Sequence, residues 1–251
     1  MVAIPPCWKI LRKAKSPYEH VQAVCEGAGG KIQYIYHPLW SIIRDFLKFH
    51  KMIKMCLKVK TYESDNSLLG NTLALMLQTC IRTGSVENKK SLGLTTLTKK
   101  NIFINKKKLY LNFTGKSGVK HCIEITEPKL VKFIFLRNKA VRGNQPLFGV
   151  SASELNVYIK NVWGSSFTCK DIRTCKANLE FIETLIKSRE VPGKALKEAS
   201  EKSAELLGHT VAVSKKNYVF PELSEFYLED PDKFKRARNS AKLLKSILKL
   251  K

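Results

Sequence analysis

The sequence predicts an α+β protein, with a small β-rich N-terminal domain and a larger, mainly α-helical domain that holds a three-stranded antiparallel sheet. Three observations predict this class. Short apolar and aromatic runs bounded by glycine-rich or polar turns fill much of residues 1–37 and 101–125, as strands do. Elsewhere apolar residues recur at three- and four-residue steps, several times behind serine or threonine capping signals, as on helices. At 251 residues and 44% hydrophobic content, the chain can bury one large core, or a small one and a medium one.

The first strand is expected at 8–11, beginning with Trp8. Residues 21–24 and 32–36 read as a hairpin around Gly27-Ala28-Gly29-Gly30. A helix follows over 39–57, with Leu39, Ile43, Phe46, Ile53 and Leu57 as its expected buried stripe. The polar stretch 61–66 places a domain boundary there or in the helix before it. A second helix, with Leu69, Leu73, Met76 and Cys80 as its apolar face, is expected to run to about Arg82 and stop at Gly84. Three antiparallel strands are expected at 101–104, 108–113 and 119–125, joined at Asn105-Lys106-Lys107 and Gly115-Lys116-Ser117-Gly118.

The remainder reads as helical. Ser151-Ala152-Ser153-Glu154 is a capping-box pattern ahead of 155–162, and Thr168-Cys169-Lys170-Asp171 is the same signal ahead of a helix to about Ser188. Pro192-Gly193 breaks that helix, and 196–207 forms another. Ser214 is the expected N-cap of a short helix bearing Tyr218, limited by Pro221. The tail 233–251 carries eight basic residues and no acid, and Leu243, Leu244, Ile247 and Leu248 make it an amphipathic helix candidate. The expected domains are therefore 1–60 with the linking helix, 61–232, and the basic tail 233–251.

Forty-five lysines and arginines against 21 acids give a formal charge of +24. A field of that sign attracts polyanions, of which DNA is the commonest. A ribosomal-type protein, an RNA binder or a basic surface without function would carry the same charge. No apolar stretch approaches the length of a membrane span. Seven scattered cysteines without a CxxC pair read as free thiols in a reducing compartment, not as disulfides or a zinc site. The N-terminal residues lack a basic segment followed by an apolar one, so no secretory signal is expected.

Five residues carry potential chemistry: Arg82 in Ile81-Arg82-Thr83-Gly84, Lys116 in Gly115-Lys116-Ser117-Gly118, Arg173 in Lys170-Asp171-Ile172-Arg173-Thr174, His209 in Leu207-Gly208-His209-Thr210, and Tyr218 in Ser214-Lys215-Lys216-Asn217-Tyr218. Each alone has a plainer reading: a charge offsetting a helix dipole, a solvated turn lysine, a surface ridge shared by Lys170 and Arg173, a cap histidine, a half-buried aromatic. Together with Ile4-Pro5-Pro6-Cys7-Trp8, Gln33-Tyr34-Ile35-Tyr36-His37, Gly93-Leu94-Thr95-Thr96-Leu97 and Val119-Lys120-His121, their order resembles the poxvirus-type type IB DNA topoisomerases of large DNA viruses and some bacteria. The resemblance spans nearly the whole chain and implies the catalytic fold that family shares with tyrosine recombinases. The N-terminal unit is shorter than in the poxviral enzymes, which implies a weaker clamp.

The resemblance implies a function: Tyr218 cuts one strand of duplex DNA through a 3′-phosphotyrosyl link, the helix relaxes, and the strand is resealed. Arg82, Arg173 and His209 would donate hydrogen bonds to the non-bridging oxygens as they gain charge, and Lys116 would protonate the departing 5′ oxygen. A phenol with a pKa of about 10 is a poor nucleophile at neutral pH without such help. Tyr34 and Tyr36, alternating on one strand face, and Lys170 would contact DNA. No ATP, metal or other cofactor is expected, since the chain has neither a P-loop nor a cluster with metal-ligand spacing. The implied partner is duplex DNA, not a membrane, gripped by a monomer that closes as a clamp. The implied place is bacterial cytoplasm or nucleoid, or a virion or viral replication compartment.

Two other readings compete. A tyrosine recombinase or integrase would share the Leu207–Tyr218 spacing, but usually has His-x-x-Arg where this chain has Lys170-x-x-Arg173, and carries a long helical N-terminal domain. A non-enzymatic DNA-packaging protein would explain the charge but not the five-residue set.

Overall fold

The computed structural model describes residues 3–85, 91–237 and 239–249. The chain is mixed α and β, mostly helical, with two three-stranded antiparallel sheets. It divides into two compact units, Met1–Lys51 and Met52–Lys251. The division falls inside the helix that precedes the polar segment 61–66, and the tail belongs to the larger unit.

In the smaller unit, β1 (Lys9–Lys13), β2 (Val21–Glu26) and β3 (Ile32–Tyr36) pair in sequence order. Ala23 and Cys25, two apart on β2, are buried, as a half-covered strand requires. Tyr34 and Tyr36 share one face of β3, their rings 6.5 Å apart and nearly parallel. Tyr34 is 55% exposed, which does not fit a core aromatic. Helix α1 (Pro38–Val59) follows. Of its expected stripe Ile53 is buried and Leu57 half-buried, whereas Leu39, Ile43 and Phe46 are exposed; the covered residues also include Phe49, Met52, Met55 and Cys56, which the stripe did not name. Strands of five or six residues cover little of the helix's first turns.

The larger unit begins with the rest of α1 and α2 (Leu68–Thr79). Ser67 caps α2, its Oγ accepting from the Gly70 amide at 2.9 Å. The helix ends earlier than the periodicity predicts. Cys80 turns left-handed (φ 53°, ψ 19°) and its amide closes on the Met76 carbonyl, so Arg82 lies in extended chain beyond the cap. Strands β4 (Ile102–Asn105), β5 (Lys108–Thr114) and β6 (Lys120–Ile125) form the second sheet, with Leu109, Leu111 and Phe113 of β5 turned into the core.

Seven further helices follow α3 (Pro128–Ala140): α4 (Ala152–Trp163), α5 (Cys169–Lys187), α6 (Pro192–Leu207), α7 (Val211–Asn217), α8 (Pro221–Glu229), α9 (Pro231–Ala237) and α10 (Ser240–Lys249). The capping boxes form as local chemistry dictates: Ser151 with Glu154 opens α4, and Thr168 with Asp171 opens α5. Pro192 starts α6 at its first position, where a missing N–H is harmless. Helix α5 is the hub. It buries Ile172, Cys175, Ile182 and Leu185 and packs on α2, α4, α6, α9 and α10.

Two further expectations need correction. Ser214 does not cap α7; Thr210 does, accepting from the Val213 amide at 3.4 Å, while Ser214 is buried one turn before Tyr218. The tail is not one helix but most of α9 followed by α10, and it is packed onto the core. Leu243, Leu244 and Ile247 are buried, and the Ser240 amide donates to Glu183 Oε1 at 3.1 Å. Lys242 and Lys245 remain exposed. Arg238, Leu250, Lys251 and the Leu248 side chain lie outside the described residues.

This packing predicts an asymmetry within one turn of α10. Leu244→Ala should lower unfolding free energy by about 2–5 kcal/mol, through lost burial and a residual cavity. Lys245→Ala should change it by less than about 0.5 kcal/mol. Chemical denaturation checks both, and equal effects would remove the brace.

Candidate active site

Arg173 is the most buried member of the five, 5% exposed on the first turns of α5. It is not part of a surface ridge with Lys170, which is exposed. A buried guanidinium needs acceptors on each edge. Its Nε donates to the Cys80 carbonyl at 2.8 Å, and Nη2 donates to the Leu207 carbonyl at 2.8 Å. Nη1 donates to Tyr218 Oη at 3.2 Å, and Nη2 stands 3.5 Å from His209 Nε2. Burial lowers the pKa of Arg173, but an arginine stays charged at neutral pH.

The end of α6 supplies one acceptor and aims the histidine. The His209 amide reaches back to the Ala204 carbonyl at 2.9 Å and the Gly208 amide to Glu205 at 3.0 Å, a Schellman closure. Gly208 takes the left-handed conformation this closure needs (φ 63°, ψ 48°). The turn presents His209 over the Tyr218 ring, centroids 5.3 Å apart and 24° from parallel. Burial, then the positive charges of Arg173 and Arg82, drive the His209 pKa down to about 4. His209 is therefore neutral at pH 7 when no anion is present.

Arg82 is half-buried, and its backbone is fixed by a neighbouring segment: the Leu94 amide donates to the Arg82 carbonyl at 2.7 Å and the Thr95 amide to the Thr83 carbonyl at 2.8 Å. Lys116 is exposed at the tip of the β5–β6 hairpin, where the Gly115 amide closes the turn on the Val119 carbonyl at 2.7 Å. Tyr218 follows the last residue of α7 and is half-buried. All five residues, with Lys170, line one open cleft of about 590 Å³. No Asp or Glu lines it, so its positive charge is uncompensated. Among the described residues no group of His, Cys, Asp and Glu is placed to hold a metal ion. Tyr34 and Tyr36 belong to the smaller unit.

Sequence reasoning missed Asn178. Fully buried on α5, it donates from Nδ2 to the Tyr218 carbonyl at 2.7 Å and accepts the Phe220 amide at Oδ1 at 3.0 Å. It clips the chain on both sides of Val219, fixing the backbone from which the phenol hangs. The available signal was a polar asparagine between the apolar residues Ala177 and Leu179.

With this geometry in place, comparison with known proteins is informative. Residues 42–247 match the family model described as eukaryotic DNA topoisomerase I, catalytic core. The chain belongs to the type IB DNA topoisomerase family. It is 31% identical to "DNA topoisomerase 1B" of Acanthamoeba polyphaga mimivirus, over 94% of this chain and 81% of that protein. It is 28% identical to "DNA topoisomerase 1" of Rabbit fibroma virus (strain Kasza), over 81% of this chain and 71% of that protein. Membership sets aside the recombinase and packaging readings. The seven cysteines are free thiols, and no described helix is long and apolar enough to cross a membrane.

The depressed histidine has a pH consequence. Because its folded pKa lies near 4 and its unfolded value near 6.5, the unfolded chain binds the proton first as pH falls. Its contribution to stability is complete above pH 6.5 and is lost as pH drops towards 4. NMR titration of the His209 ring in DNA-free protein should give a midpoint near 4, rising when DNA places a phosphate beside it. A midpoint above 6 without DNA would contradict the cluster.

Proposed function

We propose that the cleft binds one phosphodiester of duplex DNA and exchanges it onto Tyr218, relaxing supercoils without ATP or metal. The observation that supports this best is the Arg173 guanidinium, shared between Tyr218 Oη at 3.2 Å and His209 Nε2 at 3.5 Å. A phosphate drawn to that guanidinium sits where the phenol can attack it. The Tyr218 oxygen forms a bond to phosphorus while the bond to the 5′ oxygen breaks. The phenolic proton passes to water, and the Lys116 ammonium gives a proton to the departing oxygen. Arg82, Arg173 and His209 stabilise the charge gathering on the non-bridging oxygens. One phosphoester replaces another of similar energy, so the free 5′ hydroxyl can reverse the step after strand rotation.

Lys170, exposed on the rim of the cleft, holds a flanking phosphate. Tyr34 and Tyr36 meet the DNA from the smaller unit, exposed Tyr34 leading. The chain acts as a monomer whose two units close on duplex DNA, in the compartment where the source's DNA is handled.

Plasmid relaxation should proceed with EDTA and without nucleotide, for both signs of supercoil; an absolute need for magnesium or ATP would sink the reading. Tyr218→Phe should bind DNA but form no covalent adduct. Arg82→Ala and Arg173→Ala should each slow single-turnover cleavage by roughly 10²–10³-fold, as loss of an oxyanion donor does. Tyr34→Ala and Lys170→Ala should weaken DNA binding with the melting temperature unchanged.

Lys116→Ala should be slow on ordinary DNA, yet recover when sulfur replaces the 5′ bridging oxygen. A thiolate leaves without protonation, so the general acid becomes dispensable. Absence of recovery would make Lys116 a binding residue.

A further inference from the structure

His121 has no part in the steps above, yet it stands at their centre. It lies on β6 opposite Phe113, and its ring stacks on that phenyl, centroids 4.7 Å apart and 13° from parallel. Two glycines from two different turns also crowd it. A Cβ on Gly115 would stand 2.8 Å from His121 Nε2 and 2.9 Å from Cδ2. A Cβ on Gly208 would overlap Cε1 and stand 3.1 Å from both ring nitrogens. Gly115 begins the turn that carries Lys116; Gly208 begins the turn that carries His209. Gly208 needs glycine for its left-handed backbone, but Gly115 has φ −89°, open to any residue. Only the ring explains a missing side chain there.

We propose that the His121 ring is a wedge setting the distance between the lysine turn and the histidine turn, and so is a positioning residue for proton transfer from Lys116. The lysine turn is joined to the sheet through two strands only, and its tip is exposed. Its inner side rests on the ring, and the ring's far side rests on Gly208, whose neighbour Leu207 is tied to Arg173. Position is thus relayed from the buried arginine to an exposed hairpin by direct contact. Burial, then the charge of Arg173, lowers the His121 pKa, which keeps the ring neutral against Phe113. The inference rests on the reading of Lys116 as general acid. An acid held about 1 Å out of place loses on the order of 100-fold in rate.

The test compares single-turnover cleavage of two duplexes, one with oxygen and one with sulfur at the 5′ bridging position, by the full-length chain. The readout is the ratio of the two rates on the same preparation, so any misfolded fraction cancels. Relative to the unaltered chain, Lys116→Ala, His121→Ala and Gly115→Ala should each raise the sulfur-to-oxygen ratio, the last two by about 10–100-fold. Gly115→Ala combined with His121→Ala should lose less rate on ordinary DNA than the product of the two single losses, because the added methyl and the ring occupy the same space. If Lys116→Ala raises the ratio and His121→Ala leaves it unchanged, the wedge is overturned while the general acid stands. If Lys116→Ala leaves the ratio unchanged, the general-acid reading falls and the positioning role falls with it. A double variant whose loss equals the product of the two single losses also overturns the wedge.

Discussion

The buried charge of Arg173 constrains everything around it. A guanidinium removed from water must find acceptors, and most proteins supply a carboxylate. Here the acceptors are the carbonyls of Cys80 and Leu207. They satisfy the N–H groups without cancelling the charge, which remains available to an anion. Both are helix-end carbonyls with no intrahelical partner, and they carry the negative end of their helix dipoles. The early stop of α2 at left-handed Cys80 and the Schellman end of α6 are thus parts of one arrangement. Each helix ends where its free carbonyl meets the arginine.

The same unpaired charge reinforces what burial does to the histidine. Half-buried, with Arg173, Arg82 and Lys116 near it and no acid lining the cleft, His209 is held neutral at pH 7. A phosphate entering the cleft would reverse that field and favour a proton on His209. In the proposed reaction this would be the electrostatic expression of binding the reacting phosphate better as its charge grows.

What the sequence showed and what it hid divide along the range of the interactions. Capping boxes at Ser151 and Thr168 and the β5–β6 hairpin are local signals, legible because the residues that decide them are neighbours. The five proposed catalytic residues were legible through their order, which resembles a known family, and not through any single spacing. The stop of α2 was misread because Gly84 looked like the better cap, whereas Cys80 turns left-handed towards an arginine ninety-three residues away. The α1 stripe was misread because periodicity reports which face is apolar, not how much partner surface covers it. Asn178 and His121 were passed over for one reason. Their importance lies in Tyr218, Gly115 and Gly208, none of which is adjacent in sequence.

Tyr218, the proposed nucleophile, divides rigidity from freedom. A short helix suits a residue that has to move into place, but the backbone at Tyr218 is not loose. Its amide donates to the Ser214 carbonyl at 2.9 Å, its carbonyl accepts from Asn178, and Val219 and Phe220 behind it are buried. Freedom is left in the side chain, which has two torsions, rests against Cys80, Ala177 and Leu207, and takes its polar contact from an arginine donor beside a stacked imidazole. Those two partners are also the groups expected to hold the phosphate. Under the proposed function an arriving diester would compete for the contacts that keep the phenol at rest, and release of the phenol would be coupled to binding of what it attacks. Anchoring the main chain through Asn178 makes that coupling useful, since a released phenol can swing only within reach of the cleft.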